Sequence, residues 1–326
     1  MLSNMIRTMT SRIPLPTIRL AWAALAVTLA CGPSRAADPD TVELVPKWPV
    51  GKRLVTRINV EQNQRIQGAG PRPVSQQISQ EQEIAIDVLR VNDRKETEME
   101  ARFQAMKMQM RMGGAQLFSY DSQNRRFGEV NPVAEAMDRL LEARLKLFAD
   151  EQGRVTRVEG IKEMLESMDT RGMAGQMLKG MFNEDAVKQM GMLPQGFPYR
   201  KVKLGESWTS ETSMAAGPVG TIKVQMQHTF DGWETRGGIR CARITYTGTI
   251  TSGAAEAAGN SALSFDIQGG RLRGTNWFDP ELGQVREGTS DVYMKLNITA
   301  GAQQMSIDLS QKVTNKLIAV GSAPGV

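Results

Sequence analysis

Thr221-Ile-Lys-Val-Gln-Met-Gln-His-Thr-Phe230 alternates without a break: Ile222, Val224, Met226, His228 and Phe230 fall on one side, with Thr221, Lys223, Gln225, Gln227 and Thr229 on the other. Successive side chains of a strand point to opposite faces, so this stretch is a strand with one packed and one wet face, the pattern of an antiparallel sheet. Towards the C-terminus the pattern returns in Ala242, Ile244, Tyr246 and Ile250, in Leu272 to Phe278, in Val292, Met294, Leu296 and Ile298, and in Met305, Ile307 and Leu309. Towards the N-terminus it returns in Leu54, Thr56, Ile58 and Val60, in Ile84, Ile86 and Val88, and in Met99, Ala101 and Phe103. In that last strand the apolar positions switch from odd to even at Met106, Met108, Met110 and Met112, which a bulge near Ala105 accounts for. A short strand from Gln116 to Tyr120 follows. The polar stretch from Glu61 to Gln82, with Gly68-Ala-Gly-Pro-Arg-Pro at its centre, reads as a long hairpin connection or loop.

Between these two β-rich parts the period changes. Asn131-Pro132 supplies a cap and a first helical residue, and Val133, Met137, Leu141, Leu145 and Phe148 follow at helical spacing. Gly153 to Gly160 interrupts as a brief extended piece. Ile161, Met164, Leu165 and Met168, then Met173, Met177, Leu178 and Met181, mark further helical faces that end at Gly191 and Pro194. The expected organisation is a leader over 1–36, a tether over 37–46, a first β-rich part over 47–130, a helical segment with one short strand over 131–200, a second β-rich part over 201–320 and a tail over 321–326. The fold class is α+β: a curved antiparallel sheet, half-barrel-like, with the central helices packed on it. Trp48-Pro-Val-Gly-Lys and Leu204-Gly-Glu-Ser-Trp open the two β-rich parts in similar ways and raise a duplication. One sheet and two domains both fit the pattern.

The leader carries Arg7, Arg12, Arg19 and Arg35, no acid, and an apolar run from Leu20 to Ala30, the layout of an export signal. That run is too short to span a bilayer, and no later segment is long and apolar enough. Ser34 and Ala36 precede Ala37 as a cleavage site requires, so cut chains begin at Ala37; the rival is lipidation at Cys31, which would leave the protein membrane-anchored. The periplasm or the extracellular space is the expected location. Removing 1–36 leaves 36 Lys plus Arg against 35 Asp plus Glu, a net charge of +1. A nearly neutral chain with few aromatics gives no support to nucleic-acid binding. Cys241 is then the one remaining cysteine, a small buried residue in a strand.

The residue inventory is hard on catalysis. His228 is the one histidine, so no multi-histidine metal site and no His-Glu-x-x-His motif exists, and no cofactor fingerprint is present. Its place on the packed side of a strand gives it a structural role. Ser207, in Gly-Glu-Ser-Trp-Thr, lacks the second glycine of a nucleophile elbow. The chain reads as non-enzymatic; a carboxylate-dependent hydrolase built on pairs such as Glu98 and Glu100, or Asp279 and Glu281, is the alternative.

The order Trp48-Pro-x-Gly51, Phe118-x-Tyr-Asp-Ser122, Asp150-x-x-Gly153-x-Val-x-x-Val-x-Gly160, Leu193-Pro194, Gly205-x-Ser-Trp208 and Phe278-Asp-x-x-x-Gly283 resembles a family of exported bacterial envelope proteins of unknown function. The resemblance covers most of the chain after the leader and implies neither an activity nor site residues. A curved antiparallel sheet with interrupting helices is also similar in architecture to the periplasmic lipoprotein carriers and related lipid-binding envelope proteins.

Methionine is the compositional anomaly: 13 of 20 lie between Met99 and Met192. Unbranched, polarisable side chains fill gaps in a core and also suit an adaptable apolar cavity. The expected function is therefore binding of a lipid or other apolar ligand, or of another envelope protein, with Met106, Met108, Met110, Met112, Met226 and Phe230 lining the apolar interior. A structural or assembly role is a second reading. Cu(I) held by thioethers two apart on the Met106–Met112 strand face is a third, weakened by the absence of histidine or cysteine from that strand.

Overall fold

The computed structural model describes residues 40–68, 70–124, 132–167, 196–215, 221–253, 263–300 and 303–324. Cys31, Ala36 and Ala37, and the helical faces expected between 168 and 195, lie outside the described residues. The elements are β1 (Thr41–Glu43), β2 (Lys52–Gln67), β3 (Val74–Val91), β4 (Thr97–Met112), β5 (Ala115–Asp121), α1 (Pro132–Glu142), β6 (Leu145–Ala149), β7 (Val155–Glu159), α2 (Ile161–Ser167), β8 (Lys201–Lys203), β9 (Ser207–Ala215), β10 (Thr221–Arg236), β11 (Ile239–Ser252), β12 (Leu263–Asp279), β13 (Gln284–Ala300) and β14 (Gln303–Ser322).

All but β1 and β8 join one 12-stranded antiparallel sheet in the order β7-β6-β4-β3-β2-β14-β13-β12-β11-β10-β9, with β5 beside the second half of β4. Among the described residues the sheet does not close, and β7 and β9 stand at its ends. β14 pairs with β2 from Ser306↔Gln67 to Ser322↔Lys52, and this seam makes one sheet of the two β-rich parts. β1 pairs with β8 as a separate ribbon. The chain among the described residues is thus mostly antiparallel sheet with few helices, rather than an even α+β mixture.

The alternation carries through to the packing. Val60 sits opposite Val313, and Val224 opposite Ile250, so the apolar residues of neighbouring strands share one face. The parity switch in β4 has its bulge: the register with β3 shifts between Glu83 and Ile84, and Gln104 is the extra residue between Phe103 and Ala105.

Three expectations need correction. The Glu61–Gln82 stretch is no loop, because β2 runs on to Gln67 and β3 starts at Val74. Its polar residues pair on both sides, β2 with β3 and with β14, and backbone ladders do not require apolar side chains. Leu145 and Phe148 are not helical: α1 ends at Glu142, and β6 pairs with the first half of β4 from Thr97↔Ala149 to Ala101↔Leu145. Arg144 stops the helix by donating to the carbonyls of Leu141, Glu142 and Ala143, a cation at the negative end of the helix. The stretch read as a tether holds β1, with Val42 3% and Leu44 0% exposed.

Three apolar clusters lie along the packed face. In the first, Ala136, Met137 and Leu140 of α1 and Met164 of α2 close over Met99, Phe103, Met106 and Met108 of β4. The second gathers Leu44, Phe197, Val202, Trp208, Phe230 and Phe278. The third is Ile250, Ile267 and Leu272, with Val224, Met226 and Met294 packed against it.

Candidate functional site: the packed face of the sheet

Five of the six residues expected to line one apolar interior are divided among these clusters, and Met112 belongs to none of them. Met106 and Met108 are buried in the first, opposite Gln82 and Gln80, and Met110 packs against it from opposite Ile78. Met112 ends the strand half-buried, opposite Gln76. Met226 belongs to the third cluster, and Phe230 is fully buried in the second, edge-on to Trp233 at 5.6 Å. Met106, Met108 and Phe230 are core; Met110, Met112 and Met226 border the part of the face that remains accessible.

That accessible part runs across the middle of the sheet. Ile58, Val60 and Ile66 of β2, Ile307, Leu309 and Val313 of β14, and Val292, Met294 and Leu296 of β13 are half-buried on the packed side. Glutamines Gln62, Gln64, Gln76 and Gln80 are interspersed among them. Gln80 donates to Gln82 at 3.2 Å. This amide-studded strip was missed in the sequence because its polarity reads as loop; the signal available was the even spacing of Ile58, Val60, Gln62, Gln64 and Ile66.

One polar group is buried at the β9 side of this face. His228 is 1% exposed, its Nε2 2.8 Å from Ser210 Oγ and its ring stacked on Trp208 with centroids 5.4 Å apart. Tyr246 tilts against it at 5.7 Å. Burial pushes the imidazole down to about 4, and Nδ1 makes no hydrogen bond among the described residues. Trp208 Nε1 donates to the Gly196 carbonyl at 2.7 Å, which holds the backbone of Gly196 over the imidazole. A Cβ at Gly196, where φ is +79°, would lie 2.5 Å from His228 Nε2.

Three of the four carboxylates considered for catalysis, Glu98, Glu100 and Asp279, are tied to arginines. Glu98 accepts from Arg90 at 2.8 Å and Glu100 lies 3.7 Å from Arg144. Asp279, 2% exposed, accepts from the backbone N–H groups of Glu281 and Leu282, both at 3.0 Å, and from Arg286 at 2.9 and 2.7 Å. The turn it shapes docks the segment before β2: Lys47 donates its N–H to the Gly283 carbonyl, and Gln284 Nε2 donates to the Lys47 carbonyl. Among the described residues no group of three or more His, Cys, Asp or Glu side chains is placed to hold a metal, and no helix is long and apolar enough to cross a membrane. Cys241 is fully buried, its thiol pushed up to about 11 by burial and by the Asp279 charge.

The Asp279–Gly283 turn closes the stretch that identifies the chain. Residues 94–283, more than half of the sequence, match the model of the Family of unknown function (DUF6263). The chain belongs to this family. No protein of the curated set matches the DUF6263 chain. Among solved structures it is similar to lipovitellin at 13% identity and a TM-score of 0.47, over 86% of this chain and 26% of that one, so it spans about a quarter of the lipovitellin chain. It is similar to a Bacteroides fragilis protein with a YmcC-like fold at 11% identity and a TM-score of 0.31, over 86% of this chain and 100% of that one. It is also similar to Pseudomonas aeruginosa OpdQ at 6% identity and a TM-score of 0.24, over 82% of this chain and 98% of that one.

Proposed function

We propose that this DUF6263 protein is an exported, non-enzymatic envelope protein that binds an apolar ligand on the packed face of its sheet. The observation that carries the reading is the half-buried strip over β13, β14 and β2, where Met294, Leu309 and Val313 are partly accessible while the helices α1 and α2 belong to the neighbouring first cluster. Contiguous apolar surface left partly open to water favours a partner that covers it. Glutamines such as Gln62 and Gln64 beside it suit a ligand with a polar end, since an amide both donates and accepts. The export half of the reading rests on the leader with its arginines and short apolar run.

The test is native mass spectrometry of protein purified from its envelope, followed by titration with a fluorescent long-chain fatty acid. Bound lipid and saturable fluorescence are expected. Leu309→Gln and Met294→Gln each remove apolar contact worth about 1.4 kcal/mol, roughly tenfold in affinity, whereas Met106→Leu in the buried cluster leaves binding unchanged. Protein that carries no lipid and takes up no fatty acid overturns the reading.

A further inference from the structure

We infer that the wet face of the sheet carries a second, separate site: a polar groove across β12, β13, β14, β2 and β3 that binds an acidic oligosaccharide. The groove has a volume of about 550 Å³. Its floor is the strand row through Gln64, Gln76, Met294 and Leu309, whose own side chains turn to the packed face. Its walls are the residues on either side of that row, which alternation turns to the wet face.

A bulge builds one wall. Along β13 the partners Lys295 and Tyr293 are two apart, but opposite them on β12 stand Gln268 and Arg271, three apart. Residues three apart on a regular strand point to opposite faces; the extra residue turns both Gln268 and Arg271 into the groove. Glycine makes the bulge feasible at both of its positions. Gly269 has φ +59°, and a Cβ on Gly270 would lie 2.2 Å from the Ile250 carbonyl oxygen.

The charge lining the groove is predominantly positive. Elsewhere on that face several cations are paired, Arg53 with Asp87 at 2.6 Å, Arg57 with Glu83 at 2.6 Å, Lys107 with Asp121 at 3.6 Å, Arg273 with Asp291 at 3.4 Å and Lys316 with Glu287 at 3.1 Å, while Arg111 and Lys312 form no ion pair among the described residues. In the groove Arg65, Arg271 and Lys295 form no ion pair among the described residues, although Asp308 stands between Arg65 and Lys295 in the register. Three cations against one carboxylate give the groove a net positive charge, which favours an anion.

The remaining lining specifies what kind of anion. Asn63 and Gln77 stand opposite each other on β2 and β3, two planar amides that each present a donor and an acceptor, as adjacent sugar hydroxyls require. Tyr293 is 41% exposed, with the Arg271 guanidinium 5.3 Å from its ring centroid, so an aromatic face is held ready to stack on a sugar ring. Hydroxyl-matching amides, an aromatic platform and cations together describe a saccharide that carries acidic groups.

The site shares no side chain with the apolar strip that its binding uses, so the two readings fail separately. The experiment is fluorescence anisotropy of the full chain with a labelled oligogalacturonate, a neutral galactose oligosaccharide and polyglutamate. The acidic sugar is expected to bind, more weakly as salt is added, and ahead of both controls. Arg271→Gln and Lys295→Gln each lower its affinity by roughly tenfold, and Tyr293→Ala lowers it without changing the salt dependence, all with unchanged circular dichroism and unchanged fatty-acid uptake. Polyglutamate binding as tightly as the acidic sugar, neutral sugar binding as tightly, or no binding at all each overturns the proposal.

Discussion

Replacing Asp279 by Ala tests what holds the N-terminal segment to the sheet. The carboxylate is 2% exposed and accepts four hydrogen bonds, two from the Arg286 guanidinium and two from the backbone of its own turn. Truncation strands the Arg286 guanidinium, whose side chain is 25% exposed, and two backbone donors. Removing one partner of a buried ion pair costs about 3–5 kcal/mol, and the residual exposure of Arg286 places the expected loss near the lower end, at about 3 kcal/mol. Asp279→Asn keeps an acceptor for the turn and loses the charge, so it falls between wild type and Ala. The assay is urea unfolding of the single variants, of Arg286→Met and of the Asp279→Ala/Arg286→Met double variant. The double variant is expected to be less destabilised than the sum of the singles by at least about 1 kcal/mol, because no charge is then left buried and unpaired. Additive losses, or a loss below about 1 kcal/mol for Asp279→Ala, refute this account.

Other outcomes follow from the same geometry. His228 is held at about 4 against an ordinary 6.5, so the native state resists a proton that the unfolded chain accepts. Its contribution is complete above pH 6.5 and declines as pH falls towards 4, by up to about 3 kcal/mol, and urea midpoints of His228→Phe should lack that part of the acid slope. Gly196→Ala forces a Cβ into His228 and an unfavourable φ, and is expected to lower the melting temperature and shift Trp208 fluorescence; an unchanged melt would show that the turn is not packed on the histidine. Cys241 should resist a thiol reagent in the folded protein and react on denaturation, and rapid native labelling would contradict its burial.

Where a strand has one apolar and one polar face, as in β10, its sequence announces it. The upper halves of β2 and β3 do not, because Gln62, Gln64, Gln76 and Gln80 stand on the packed face and nothing in their chemistry separates them from a loop. β6 was disguised for the opposite reason: Leu141, Leu145 and Phe148 keep helical spacing, and pairing with β4, a contact some 45 residues away, overrides local periodicity. β1 is too short to show a period at all, yet it buries Val42, and Leu44 just after it is fully buried. The scatter of the six candidate lining residues, five of them over three clusters and Met112 outside, depends on strand order, which no strand's own sequence encodes. The groove was hidden for a related reason, since its cations are gathered from separate strands and by a bulge of two glycines.

The seam between β14 and β2 sets an order of assembly. Every other neighbour pair in the run from β9 to β14, and in β2 to β4, is sequential, whereas Ser322 meets Lys52 across nearly the whole described chain. Two meanders can zip locally, but they become one sheet only when a very long loop closes, the slow step for a topology of this kind. Ala323 donates its N–H to the Gly51 carbonyl at 2.8 Å, so the end of β14 already lies beside the start of β2. A permuted chain that starts at Gly196 and links Pro324 to Asp40 would turn the seam into a local connection, and it should refold faster than the natural order while keeping the same strand neighbours.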